Sequence, residues 1–389
     1  MDLTFSEAEQ TFRANCRSWL ADQVPKPSLG SGDTRDGFAR HLEWERTLFD
    51  AGYAVVSWPE EFGGRDASLW EWLIFEEEYW RAGGPQRIAQ NGIFLLAPTL
   101  FEFGTEEQKT RILPRMAAAD DVWAQAWSEP DAGSDLAALR SRAVRDDRRG
   151  GFRLTGQKTW CTRGAFCDFA FGLFRTDPTA ERHRGLTYFM LPLRAPGVTV
   201  RPVGRLDGDP GFAELFLDDA FVPDRDVIGE PNRGWEIAMA TASSERGLTL
   251  RSPGRFLATA SRLAALYRAR AQTAPPAVRD RVVRSWMNAE AYRLYTWQIV
   301  TRLARQGGRM GAEASINKVW WSELDLALHE AALSLLGDRA ELMGAAPDAV
   351  EEGAWMKGFE FALAGPIYAG TNEIQRNVIA ERLLGLPRR

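Results

Sequence analysis

Over the first 120 or so residues, apolar positions recur at helical spacing in segments separated by short polar breaks. Ser6 and Glu9 have the spacing of a capping box, and Phe12, Cys16, Trp19 and Leu20 then share one helical face until Pro25 ends the segment. Ser68 and Glu71 repeat the signal ahead of an aromatic-rich helix that stops at Gly83-Gly84, and the nearly all-apolar run from Ile93 to Leu100 predicts a buried helix. From about Asp121 the period shortens to two, as in Phe169, Phe171 and Leu173 or Val198 and Val200, with Gly, Asp and Pro between the runs. This predicts a β-rich insert. Helical periodicity returns after Arg233, breaks at Ala274-Pro275-Pro276-Ala277, and closes with a helix carrying Ile374, Val378, Ile379 and Leu383 before Gly385 and Pro387. The order is helices, sheet, helices, an α+β chain without internal repeats.

At 389 residues the chain is too long for one simple core and suggests two or three domains. Its 45% apolar content, with 15 Trp and 21 Phe, excludes a disordered chain and implies a bulky interior able to bury a large ligand. Net charge is -5 and the arginines are dispersed, which argues against nucleic acid as a partner. The densest basic stretch, Arg140 to Arg149, is interrupted by Asp146 and Asp147 and ends in Gly150-Gly151, the pattern of a solvated turn. Cys16, Cys161 and Cys167 with His41, His183 and His329 match no zinc spacing, so neither a metal nor structural disulfides are expected. No window approaches a membrane span and the first residues lack a basic-then-apolar leader, so the expectation is a cytoplasmic protein with no membrane partner.

Two segments carry candidate chemistry. Ala126-Trp127-Ser128-Glu129-Pro130-Asp131-Ala132-Gly133-Ser134-Asp135 combines small and turn-forming residues, which let backbone N-H groups approach a ligand, with hydroxyls at Ser128 and Ser134. By composition alone it is equally an Asx-rich loop. About 30 residues on, Gly156-Gln157-Lys158-Thr159-Trp160-Cys161-Thr162 reads as a strand with an indole and a hydroxyl two apart on one side. A ring wall and a donor suit a planar heterocycle, although a lone tryptophan is more often a core residue.

Together these segments resemble the acyl-CoA dehydrogenase family, in which an S/T-E-P-x-A-G-S-D segment and a W-x-T segment embrace a flavin. Pro59-Glu60-Glu61-Phe62-Gly63-Gly64, Gly104-Thr105-Glu106-Glu107-Gln108-Lys109 and Gly370-Thr371-Asn372-Glu373-Ile374-Gln375-Arg376 add to the resemblance, which spans essentially the whole chain. It implies an N-terminal helical domain (1–121), a central β-domain (122–232) and a C-terminal four-helix-bundle domain (233–389). It also implies FAD as cofactor and an acyl-CoA substrate, with an electron-transfer flavoprotein as acceptor. Carried over by position, Gln125, Trp127 and Ser128 line the pyrimidine side of the flavin, Trp160 packs beside the ring, and the Thr162 hydroxyl faces N5. Ser134 lies between cofactor and thioester, and Gly370, Thr371, Asn372 and Glu373 approach the FAD phosphates, a role suited to unpaired N-H groups at a helix start. Trp127 stands where the family usually has a smaller aliphatic residue.

Oxidation of a thioester needs a carboxylate to remove the α proton. Many members supply it from a Tyr-Glu-Gly-Thr segment, but here the residues are Tyr368-Ala369-Gly370-Thr371. Either catalysis is lost or the base lies elsewhere. In isovaleryl-type and long-chain-type members it precedes an arginine on the first helix after the sheet, and Ser243-Ser244-Glu245-Arg246 places Glu245 there, with Arg246 toward the substrate. The Ala369 substitution keeps the backbone N-H that the family uses on the thioester carbonyl. The Arg-x-x-Phe-Gly and Gln-x-x-Gly-Gly segments with which homotetrameric relatives grip a neighbour's FAD are replaced by Ala271-Gln272-Thr273-Ala274-Pro275 and Ser334-Leu335-Leu336-Gly337-Asp338. The resemblance thus points to a paralogous partner in an α2β2 heterotetramer; a homo-oligomer using Arg270 or Arg279 instead is the other assembly it allows. A non-catalytic or half-site subunit and a flavin oxidase or monooxygenase on the same fold remain competing functions.

Overall fold

The computed structural model describes residues 4–246, 252–272, 274–306, 310–344 and 346–387, without the side chains of 244–246 and 306. In chain order its helices are α1 (Glu7–Gln23), α2 (Arg35–Asp50), α3 (Leu69–Arg81), α4 (Ala97–Phe103) and α5 (Glu106–Ala117), then α6 (Gly234–Arg246), α7 (Pro253–Arg270), α8 (Pro276–Gln306), α9 (Glu313–Leu336), α10 (Ala354–Ala362) and α11 (Asn372–Val378). Between α5 and α6 run β1 (Trp123–Gln125), β2 (Arg142–Asp146), β3 (Gly151–Thr162), β4 (Phe169–Arg175), β5 (Leu186–Pro192), β6 (Val198–Val203), β7 (Phe212–Pro223) and β8 (Val227–Ile228). The fold is α+β, a sheet with helices before and after it. Two compact units form, Lys26–Ala67 with Pro85–Glu245, and Met1–Pro25 with Ser68–Gly84 and Arg246–Arg389.

The first unit is built on one eight-stranded sheet of order β6-β7-β3-β2-β4-β5-β8, with β1 added parallel to β4. The expected alternation along Phe169, Phe171 and Leu173 is not how β4 is buried: everything from Ala170 to Phe174 is inaccessible. Both faces are covered, because Phe171 stacks on Tyr188 on one side while Phe174 meets Phe189 edge-on on the other. Such a strand reads as a continuous apolar run. The Arg140–Arg149 stretch also departs from a simple turn, since Arg142–Asp146 pairs antiparallel with Gly151–Thr155 and only the residues before Gly150 turn. Its charges stay outside while Ala143 is buried, so the stretch is a strand with a polar face. Around the sheet, Thr105 and Gln108 cap α5 reciprocally, and the Gln108 amide reaches the carbonyls of Arg225 and Val227, fastening α5 to β8. At Gly64 a Cβ would lie 1.9 Å from the Trp58 carbonyl oxygen, so this position of the Pro59–Gly64 segment admits only glycine.

The second unit is helical. Both predicted capping boxes form, at Ser6-Glu9 and Ser68-Glu71, and Arg13 and Arg17 of α1 pair with the buried Glu78 of α3. Helices α7 to α10 pack as the expected bundle around Phe256, Tyr292, Trp321, Leu328 and Trp355. Along α9 a buried polar stripe, Ser315, Lys318, Ser322, Asp325 and His329, runs at helical spacing through this apolar surrounding. Among the described residues no helix is long and apolar enough to cross a membrane, and no cluster of three His, Cys, Asp or Glu could hold a metal ion.

Candidate active site

Backbone hydrogen bonding and a buried ion pair join the two segments that the sequence singles out. The Thr159 amide donates to the Ser128 carbonyl at 2.9 Å. The neighbouring Lys158 is wholly buried, and its Nζ donates to Glu129 Oε1 and the Leu173 carbonyl, both at 2.8 Å, and to the Trp127 carbonyl at 3.3 Å. Glu129 in turn accepts the amides of Arg140 at 2.6 Å and Ser141 at 2.9 Å. Burial alone would raise the Glu129 carboxyl, but the Lys158 charge and these amides reverse that and hold it below the usual carboxylate range. For Lys158, burial pushes the ammonium downward against the opposing pull of Glu129. Both residues lie inside the segments that the sequence singles out, but the resemblance assigns neither a role. A further signal is parity: Lys158 follows Phe152 and Leu154 on the inward positions of β3.

Beyond Lys158 the strand bulges. Lys158 pairs with Leu215 and Cys161 with Ala213, so Thr159 and Trp160 together oppose Glu214. Trp160 takes a left-handed φ of 59° and is 59% exposed, its ring edge-on to Phe212. A large side chain in that conformation costs roughly 1–3 kcal/mol and persists only where its surroundings over-determine it. Trp160 and Thr162 thus flank the fully buried Cys161 and look outward.

Gln125 ends β1 and Ser128 lies in the loop that follows, both half-buried, with Ser134 exposed further along that loop. Among the described residues the side chains of Gln125, Ser128, Ser134 and Thr162 make no hydrogen bond within the chain. Trp127 is packed edge-on against Tyr188 and its buried Nε1 is without a partner. A broad exposed indole, an orphaned indole N-H and uncommitted amide and hydroxyl groups fit a planar cofactor with a polar edge, as FAD has.

Tyr188 also serves α6. Its hydroxyl lies 3.2 Å from Thr241 Oγ1, which is 2.7 Å from Thr99 Oγ1, so the buried face Ile237, Ala238 and Thr241 is pinned to sheet and α4. Glu245 comes one helical turn after Thr241. Its backbone and that of Arg246 close α6, while their side chains lie outside the described residues.

The C-terminal segment belongs to the other unit. Ala369 and Gly370 take left-handed φ values of 57° and 78°, and Thr371 caps α11 through its hydroxyl. Lys318 Nζ at 2.7 Å and Ser322 Oγ at 3.1 Å both donate to Asn372 Oδ1, and Gln375 Nε2 reaches the carbonyls of Ala369 and Gly370. Glu373 is exposed beside this turn, its carboxyl held low first by its own backbone N-H and then by Thr371.

Comparison with known proteins decides the family. The acyl-CoA dehydrogenase N-terminal domain matches residues 6–120, the middle domain 124–220 and the C-terminal domain 232–384. The chain belongs to the acyl-CoA dehydrogenase family. Among its relatives, acyl-CoA dehydrogenase IpdE1 of Mycolicibacterium smegmatis is 37% identical over 394 residues, covering 97% of this chain and 98% of that protein. Two solved structures at 29% identity cover all of this chain and all of their own. They are the Tcur3481-Tcur3483 steroid ACAD, with a TM-score of 0.89, and the ChsE4-ChsE5 complex from Mycobacterium tuberculosis, with a TM-score of 0.83. Members of this acyl-CoA dehydrogenase family are FAD-dependent.

Proposed function

We propose that this chain carries out FAD-dependent α,β-dehydrogenation of an acyl-CoA thioester. The observation that carries the reading is the set of unpaired polar groups on Gln125, Trp127, Ser128, Ser134 and Thr162, carried on two segments that the Lys158–Glu129 pair joins, together with the strained, exposed Trp160. When bound, FAD supplies the acceptor for the β hydrogen. Glu245 removes the α proton and Arg246 contacts the active-site end of the substrate. Trp160 would wall one side of the ring, Thr162 and Ser128 would donate to its polar edge, and Ser134 would lie between ring and thioester. In the C-terminal unit, the Ala369 N-H polarises the thioester carbonyl, and Gly370, Thr371, Asn372 and Glu373 meet the FAD phosphates at the start of α11. A donor aimed where the enolate oxygen gains charge contributes roughly 3–4 kcal/mol to barrier lowering.

The finer features extend this reading. The acyl group is branched or polycyclic, supported by the small residue at Ala369 and by likeness to a protein described as a steroid ACAD. Electrons pass to an electron-transfer flavoprotein. The chain works with a paralogous subunit, supported by the two-component neighbours and by Asp338 in place of a glycine of the family's gripping segment. Its functional division is 1–121, 122–232 and 233–389. Anaerobic mixing with a panel of acyl-CoAs tests the whole: bleaching of bound flavin by a bulky acyl-CoA is the expected result. No bleaching by any acyl-CoA from the chain with its partner would leave a non-catalytic subunit, whereas rapid reaction of reduced flavin with oxygen would favour the oxidase reading.

A further inference from the structure

The Lys158–Glu129 pair stands at one end of the Trp160–Thr162 stretch, and a second buried ionic cluster stands at the other. Asp33, in the connection ahead of α2, is 5% exposed. Its Oδ1 accepts Arg163 Nε at 2.6 Å and its Oδ2 accepts Arg205 Nη1 at 2.5 Å. Arg205 also pairs with Asp207 at 2.7 Å, and Ser31 Oγ donates to Asp209 at 2.5 Å. The Arg163 amide donates to the Gly211 carbonyl at 2.9 Å. Three stretches of chain, 31–34, 161–167 and 205–211, are therefore tied together through one carboxylate.

We propose that Asp33, through the two arginines it bridges, is a positioning residue for the flavin-facing stretch Trp160–Thr162. This rests on the reading that the stretch contacts FAD. Trp160 and Arg163 both hold left-handed φ values, 59° and 55°, so the chain between them is bent twice against its local preference. Pairing of Cys161 and Thr162 with Ala213 and Phe212 of β7 holds the middle of the stretch, and a buried ionic anchor stands on each side of it. Before it stands Lys158, anchored to Glu129; after it stands Arg163, whose guanidinium is buried and whose one carboxylate partner among the described residues is Asp33. Arg163 Nη1 is itself buried without a hydrogen-bond partner, so on the side chain Nε and the charge carry the anchoring, beside the backbone bond to Gly211. Although burial opposes ionisation of Asp33, the two guanidinium charges overcome it and keep the carboxylate charged.

The test uses Asp33→Asn, which preserves size and removes charge, with Asp33→Glu as the conservative rescue and Arg163→Lys as a second, milder break. Amide hydrogen exchange over residues 159–167 is compared with β4 and β5, and FAD dissociation constants and visible flavin spectra are measured on the holoprotein with any partner it requires. In Asp33→Asn, exchange should rise at least tenfold in 159–167 with little change in β4 and β5. The FAD dissociation constant should rise about tenfold with a shifted flavin spectrum, Arg163→Lys should show smaller changes of the same kind, and Asp33→Glu should recover part of them. Parent-like exchange and FAD affinity in Asp33→Asn, or exchange rising evenly across the sheet, would overturn the proposal. If the parent binds no FAD under any condition, the cofactor reading fails instead, and the exchange pattern alone still decides whether Asp33 holds the stretch.

Discussion

At the residue scale, the buried Lys158–Glu129 pair is a liability unless both partners are present. Lys158→Met leaves a carboxylate in an enclosed site, and breaking one side of such a pair costs about 3–5 kcal/mol. The expected result is a markedly lower midpoint of chemical unfolding, followed by tryptophan fluorescence. The sign with pH follows from Glu129: its folded-state carboxyl lies below the usual range, so its stabilisation is fully present above the unfolded value of about 4.3 and is lost as pH falls through the folded value. Acid titration of the parent should show this loss, and the slope between those values should flatten in Lys158→Met. Glu245→Gln addresses chemistry instead, preserving size while abolishing proton acceptance. It should retain FAD and slow reductive bleaching about 100-fold or more, the typical contribution of a positioned base; stopped-flow reduction at parent speed would assign the proton to another group.

At the scale of elements, legibility depended on whether the signal was local. Capping boxes at Ser6 and Ser68 could be read because cap and partner lie three residues apart. The double burial of β4 could not, because Phe171 and Phe174 owe their surroundings to Tyr188 and Phe189 on another strand. The bulge at Thr159–Trp160 was equally hidden, being a mismatch of register between β3 and β7. The motif segments announced themselves, but the burial of Lys158 and Glu129 inside them, and of Asp33 and Arg163 outside them, shows only once the fold brings each pair together. The stripe on α9 is a further instance. Asn372 Oδ1, at the start of α11, depends on Lys318 and Ser322, so Lys318→Met removes one donor from a buried acceptor and should destabilise by roughly 1–3 kcal/mol. Exchange at residues 369–375 should rise with it, whereas a parent-like urea midpoint would mean that Ser322 alone suffices.

At the scale of the whole molecule, the helical unit presents apolar side chains that it does not cover itself. Val283, Met287 and Leu294 recur at helical spacing on α8, with exposures of 47%, 62% and 37%, and Ile367 and Leu384 are exposed beyond 60%. A surface of this kind is stable when a second subunit covers it. The sequence points to which subunit. A second copy of this chain would bring Ala271 and Pro275 where homotetrameric relatives carry an FAD-gripping arginine segment, and Asp338 where they carry a glycine. If FAD is held as in those relatives, the first change would remove a charge-assisted contact and the second would set a negative charge near a diphosphate, both weakening the hold on FAD. A paralogue that keeps the gripping segments would remove both defects. The expected outcome is therefore that the chain purified alone carries well under one FAD per subunit, and that co-expression with such a paralogue gives a heterotetramer with its flavin sites filled. Absorbance at the flavin band against protein concentration, together with mass in solution, measures both. A stable, active homomer with full FAD occupancy would refute the partner requirement and direct attention to Arg270 or Arg279 as substitute contacts.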